Sequence, residues 1–257
     1  MRVPLALALG VLELAAGCAP ASRSVTAQVA TSPEADLRTE QLALFDPARS
    51  RSVPLVLYFR DTAGPRPRLK LALLSHGHGG QYTDYSFIAR NLVAHGYFVA
   101  SIQYELPGDP PLATSGKLRE ARRPNWEQGV QDLLFVRRAL ARMHPELDVE
   151  HLLLVGHSNG GDIAMLFAHE HAARVEKVIS LDNRRMPLPR ARSPRVLSIR
   201  SSDQVADEGV LPDVEEQRAL GMKVIPLSGT RHDDMWDGAT EAQKREINGI
   251  ISAFLEG

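Results

Sequence analysis

His151-Leu152-Leu153-Leu154-Val155-Gly156-His157-Ser158-Asn159-Gly160-Gly161 reads as an apolar strand running straight into a glycine-rich turn, and Asp162 to His171 continues as an amphipathic helix. The spacing G-x-S-x-G over 156–160 gives this junction a mechanical meaning. A sharp strand-to-helix turn forces the serine into a strained conformation that lifts its hydroxyl above the sheet. Side chains at the flanking positions would collide with the neighbouring strand and helix, and Gly156, Gly160 and Gly161 leave that room. The N-terminal end of the following helix faces any negative charge that develops there. Ser158 is thus the candidate nucleophile. The plain structural alternative is a Ser-Asn pair capping a helix in an ordinary loop.

Outward from this turn, short apolar runs alternate with amphipathic stretches from about Leu37 onward, the rhythm of a mostly parallel sheet flanked by helices. Leu37 to Phe45 and Val53 to Arg60 form an antiparallel hairpin around Asp46-Pro47. Strands follow at Leu69 to Leu74, Tyr97 to Ile102, Val175 to Leu181, Arg195 to Ile199 and Met222 to Leu227. Helices are expected at Tyr85 to Ala94, from Asn125 as N-cap through Leu140, and at Glu241 to Phe254. Pro107 to Pro124 reads as a loop. About a dozen residues separate the strands ending at Leu181 and starting at Arg195, too few for a large cap domain, so the site is expected to be open above. A chain of 257 residues, 44% hydrophobic and 24% charged, suits one such α/β domain. Its net charge of -1 provides no global field for nucleic acid or an anionic bilayer.

A serine hydroxyl needs a base to take its proton. His232 lies in Ser228-Gly229-Thr230-Arg231-His232-Asp233-Asp234 after the last strand, where its ring reaches the sheet edge that carries Ser158. His95 and His144 end helices, His169 and His171 follow the turn on its helix, and His76 and His78 sit in a glycine-rich loop where the backbone is expected to matter more than the ring. For the carboxylate that orients the imidazole, Asp203 after the strand Arg195 to Ile199 is preferred. Asp182 is the alternative, and Asp207 stands outside both. Two backbone N–H donors are expected to hold an oxyanion, those of Asn159 and of His78, the latter among Gly77, Gly79 and Gly80. No cofactor is called for, and no carboxylate or cysteine completes a metal-ligand set around His76 and His78. Arg184, Arg185, Arg190, Arg192 and Arg195 offer either an anion-steering patch or, more ordinarily, a solvated face.

The start of the chain reads differently. Arg2, the apolar run Val3 to Ala16 and the small residues around Gly17 have the layout of an export signal, and Leu14-Ala15-Ala16-Gly17-Cys18 resembles a bacterial lipobox ending at the only cysteine. The expected organisation is a signal segment over 1–18, a flexible tether over 19–36 and a catalytic domain over 37–257. Export to the bacterial cell envelope follows, with membrane contact only through a lipid at Cys18; a soluble periplasmic or secreted enzyme is the other form.

Leu74-Ser75-His76-Gly77-His78-Gly79-Gly80, Gly156 to Gly161 and His232 together resemble the α/β-hydrolase superfamily over about Leu37 to Phe254. Asp46-Pro47, Ala94-His95-Gly96-Tyr97 and Ser180-Leu181-Asp182 are similar to the branch holding platelet-activating-factor acetylhydrolases, dienelactone-hydrolase-like enzymes and bacterial cutinases. The resemblance implies a serine esterase acting on a small-molecule ester. It also implies two positions for the acid: that of Asp182 in the acetylhydrolases and that of Asp203 in the cutinases. Ser158 stands where dienelactone hydrolases proper use cysteine. An amidase or peptidase shares the same triad, and a catalytically inactive lipoprotein that binds a ligand or an envelope partner is the rival class.

Overall fold

The computed structural model describes residue 1, residues 36–60 and residues 68–257, and every element below lies in the unit Pro33–Gly257. Residues 2–18 of the signal segment, Cys18 among them, and all of the tether but Asp36 fall outside the described residues. Eight strands form one sheet: β1 (Leu37–Asp46), β2 (Arg51–Arg60), β3 (Lys70–Ser75), β4 (Tyr97–Ile102), β5 (Asp148–His157), β6 (Val175–Leu181), β7 (Arg195–Arg200) and β8 (Lys223–Pro226). Their order is β1-β2-β4-β3-β5-β6-β7-β8. β1 and β2 form the expected hairpin, β2 pairs antiparallel with β4, and the other pairs are parallel.

Alternation along β5 divides two cores. Leu152 and Leu154 point to the face covered by α2 (Leu118–Met143) and α3 (Ser158–Glu170). Leu153 and Val155 point to the face covered by α1 (Ser86–Ala94) and α5 (Glu241–Glu256). This is the α/β-hydrolase fold, with helices on both faces. Residues 182–194, between β6 and β7, form no helix or strand.

Several elements depart from expectation: β5 begins at Asp148 rather than at His151, and α3 begins at Ser158 rather than at Asp162. α2 begins at Leu118 rather than at Asn125 and carries Pro124 inside it. The charged stretch Leu118–Arg123 is made of good helix formers, and buried Arg122 ties it down through its Nε–H to the Ala113 carbonyl. The short helix α4 (Val214–Leu220) has no counterpart in the sequence reading, although Asp213 and Glu216 form a capping box and Gly221 ends it in the left-handed region.

Register positions the chemistry. Ser75 lies beside Gly156, Gly156 beside Ser180, and Leu181 beside Ile199. The ends of β3, β5, β6 and β7 therefore deliver their following residues to one edge of the sheet, at the switch in strand order where such folds bind ligands.

Candidate active site

β5 ends at His157 and α3 starts at Ser158 with nothing between them. Ser158 has a φ of 52°, left-handed backbone in a residue with a side chain. Such strain is worth roughly 1–3 kcal/mol and persists only where the surroundings impose it. Here they do: a Cβ on Gly156 would overlap the Gly160 carbonyl, and one on Gly160 would overlap the carbonyls of Ser75 and His76.

His232 reaches this turn from a short 3₁₀ turn, His232–Asp234, beyond β8. Its Nδ1 lies 2.6 Å from Asp182 Oδ2 and its Nε2 2.9 Å from Ser158 Oγ. A carboxylate only accepts, so Nδ1 carries the proton and Nε2 is left to accept from the serine hydroxyl. Asp182 is fully buried. Burial alone raises its pKa, but the hydrogen bond from His232, the Arg200 guanidinium at 2.7 Å and the Ser201 hydroxyl and N–H outweigh it and hold the carboxyl below the usual range.

The preference for Asp203 is corrected by this geometry. Asp203 Oδ1 accepts the backbone N–H of His232 at 2.7 Å, and its Oδ2 lies 3.3 Å from Arg231 Nε. Asp182 directly follows the last residue of β6 and turns at a φ of 57°, which brings its carboxylate to the ring. Asp203 stands two residues further from its strand end and reaches the backbone of the histidine loop instead. The hydrogen bond from His232 N–H is the main reason its pKa lies below the usual range. Asp207 donates its N–H to the Arg184 carbonyl.

Three N–H groups of the glycine-rich loop are occupied: Gly77 donates to the Tyr85 hydroxyl, Gly79 to Glu105 and Gly80 to the Gly77 carbonyl. His78 N–H has no partner among the described residues, and its ring faces Glu105 at 2.7 Å. Asn159 is the second residue of α3, where backbone N–H groups lack intrahelical acceptors. Its side chain is held from both ends, Oδ1 accepting from Trp126 Nε1 and Nδ2 donating to Asn125 Oδ1. Asn125, expected as an N-cap, lies inside α2 and braces the elbow. The His76 ring matters more than expected: buried, it donates Nδ1–H to the Gly77 carbonyl and accepts Tyr104 N–H at Nε2.

A cavity of 280 Å³ opens at this edge, lined by Gly77–Gly80, Ser158 and His232 together with Asp84, Tyr85, His157, Asp233 and Trp236. Tyr85 and His157 were not singled out by the sequence reading; His157 occupies a variable position of the motif, and nothing in the sequence joins it to Tyr85. His157 is buried beside His232, ring centroids 4.8 Å apart. Burial first, then the neighbouring His232, push its pKa down to about 3 from 6.5. With a folded pKa depressed below the unfolded one, stability is fully present above pH 6.5 and is lost as pH falls toward 3. Urea titrations between those limits should therefore show unfolding free energy falling by up to about 1.4 kcal/mol per pH unit from this ring. His157→Gln should remove that part of the slope, and an unchanged slope would contradict it.

The arginines divide. Arg190 donates to the carbonyls of Leu188, Gly209 and Val210, and Arg195 lies 5.0 Å from the Phe254 ring centroid. Arg185 is buried, so these residues do not form one solvated face. A larger cavity of 750 Å³ near Arg49 and Arg51 excludes Ser158 and His232, and both arginines are ion-paired with Asp132.

A family model described as Serine aminopeptidase, S33 matches residues 66–181, which hold the glycine-rich loop and the serine turn. No curated protein matches the chain. Among solved structures the chain is similar to a dienelactone-hydrolase-like promiscuous phosphotriesterase from metagenomic libraries (TM-score 0.61, 15% identity, 86% of this chain and 98% of that one). It is also similar to a bacterial heroin esterase (0.60, 16%, 89% and 86%) and to a structure from a study of two Rhizomucor miehei fungal esterases (0.59, 14%, 86% and 83%).

Proposed function

We propose that the chain is a serine hydrolase of the α/β-hydrolase superfamily that cleaves a carboxylic ester through an acyl-enzyme. The observation that carries this reading is the run of contacts from Ser158 Oγ to His232 Nε2 and from His232 Nδ1 to Asp182. Ser158 attacks the ester carbonyl as His232 Nε2 takes its proton. Asp182 holds the ring in the tautomer that can accept and stabilises the imidazolium that forms. The N–H groups of His78 and Asn159 receive the oxyanion. The leaving alcohol departs with the proton from His232, and water, deprotonated by the same nitrogen, releases the acid and restores Ser158.

The structural neighbours described as esterases support ester substrates, whereas the family model's description supports amide or peptide cleavage by the same residues. Purified full-length chain assayed on matched chromogenic esters and aminoacyl anilides, with acyl chains of increasing length, separates the two. Ester turnover without anilide turnover is expected; anilide turnover at a comparable rate would replace esterase with peptidase. We also propose export and lipidation at Cys18: fatty-acid labelling is expected in the unaltered chain and absent in Cys18→Ser, and equal labelling of both would end that proposal.

A further inference from the structure

Tyr85 stands where three segments of the site meet. It is the N-cap of α1, and its buried hydroxyl receives the Gly77 N–H at 3.0 Å from the loop that carries His78. The same oxygen lies 2.7 Å from His157 Nδ1, on the residue preceding the serine. His157 Nε2 in turn lies 3.1 Å from the His232 carbonyl oxygen. The histidine loop also closes on this junction: the Asp237 carboxylate accepts the N–H groups of Ser86 and Phe87, and Asp237 N–H reaches the Asp84 carbonyl.

The proton positions along this line follow from what each partner can do. A carbonyl only accepts, so His157 Nε2 must carry the hydrogen, and Nδ1 of the neutral ring must accept. Tyr85 is the donor to Nδ1. Its oxygen already accepts from Gly77, and burial raises its pKa, so the hydroxyl keeps the proton it donates. One tautomer satisfies every group.

We propose that Tyr85 and His157 are positioning residues that hold the loop of His78 and the backbone of His232 in one frame with Ser158. This rests on the hydrolase reading above. His157 donates to the main chain of the histidine whose ring touches Ser158, so its hydrogen bond sets where that ring stands. A neutral neighbour is also required. A second cation 4.8 Å from His232 would oppose the imidazolium formed in the transition state, and the Tyr85 hydroxyl, by donating to Nδ1, favours the uncharged ring.

The first test uses the unaltered full-length chain. ¹⁵N shifts of labelled histidines should show His157 with protonated Nε2 and unprotonated Nδ1 from about pH 5 to about pH 9. A ring protonated at Nδ1, or at both nitrogens, in that range would overturn the proposal. The second test is kinetic and uses variants with unchanged melting temperature. His157→Leu should lower kcat about a hundredfold with KM within about threefold, because displacing a reacting group matters for the chemical step. His157→Gln should recover most of that loss, since its amide can donate to the His232 carbonyl and accept from Tyr85. Tyr85→Phe should lower kcat in the same sense. Equal impairment by Leu and Gln, or no loss in His157→Leu, would reduce the pair to packing. If the unaltered chain shows the tautomer but no ester or amide turnover, the hydrolase reading fails while the Tyr85–His157–His232 hydrogen-bond line stands.

Discussion

Ser158→Ala lowers kcat on a chromogenic acyl ester by roughly 10⁵- to 10⁶-fold, with KM changed little. The loss is this large because in the proposed mechanism this hydroxyl forms the covalent bond, and among the described residues no other hydroxyl hydrogen-bonds His232 Nε2. KM holds because the cavity lining from Gly77 to Gly80 and at Trp236 is untouched. What remains is the polarisation supplied by backbone donors and by substrate binding. Steady-state kinetics at matched concentrations of folded protein checks the prediction. A variant within tenfold of the unaltered chain would mean that the reaction does not pass through Ser158.

Asp182→Asn lowers kcat about 10⁴-fold, whereas Asp203→Asn lowers it by about tenfold or less. Both carboxylates accept from His232, at different parts of it. Asp182 touches the ring: with an amide in its place the imidazole is free to carry its proton on Nε2, the nitrogen that must accept from Ser158. Asp203 touches the backbone N–H, which leaves the tautomer to Asp182 and steadies the loop. The depressed pKa of Asp182 adds a pH consequence. Its charge persists where imidazoles titrate, so the acidic fall of kcat/KM should follow a single protonation with unit slope. Loss of activity in Asp203→Asn with retention in Asp182→Asn would reverse the assignment of the orienting acid.

The architecture was legible because its signals are local. Leu152 to Val155 is apolar on both sides, as a central parallel strand must be, and Gly156 and Gly160 announce a turn whose tightness excludes side chains. That Ser158 and His232 meet was legible for the same reason, one fixed by its turn and the other by its place after the final strand. The choice between Asp182 and Asp203 was not. Both follow strands that end at the same edge, and the decision depends on a left-handed φ at Asp182 and on two extra residues before Asp203, differences of a few ångströms that periodicity does not encode. Tyr85 and His157 lie 72 positions apart, and their pairing depends on α1 entering beside the serine turn. The start of α2 was obscured by Pro124, which reads as a stop in sequence yet lies inside the helix.

The most direct measurement is covalent labelling. Full-length chain treated with a fluorophosphonate, digested and examined by mass spectrometry should carry one adduct per chain, on the peptide containing Ser158, and His232→Ala should slow its formation by several orders of magnitude. No adduct at Ser158 on a folded chain, or an adduct formed equally fast without His232, would contradict an activated serine at this site.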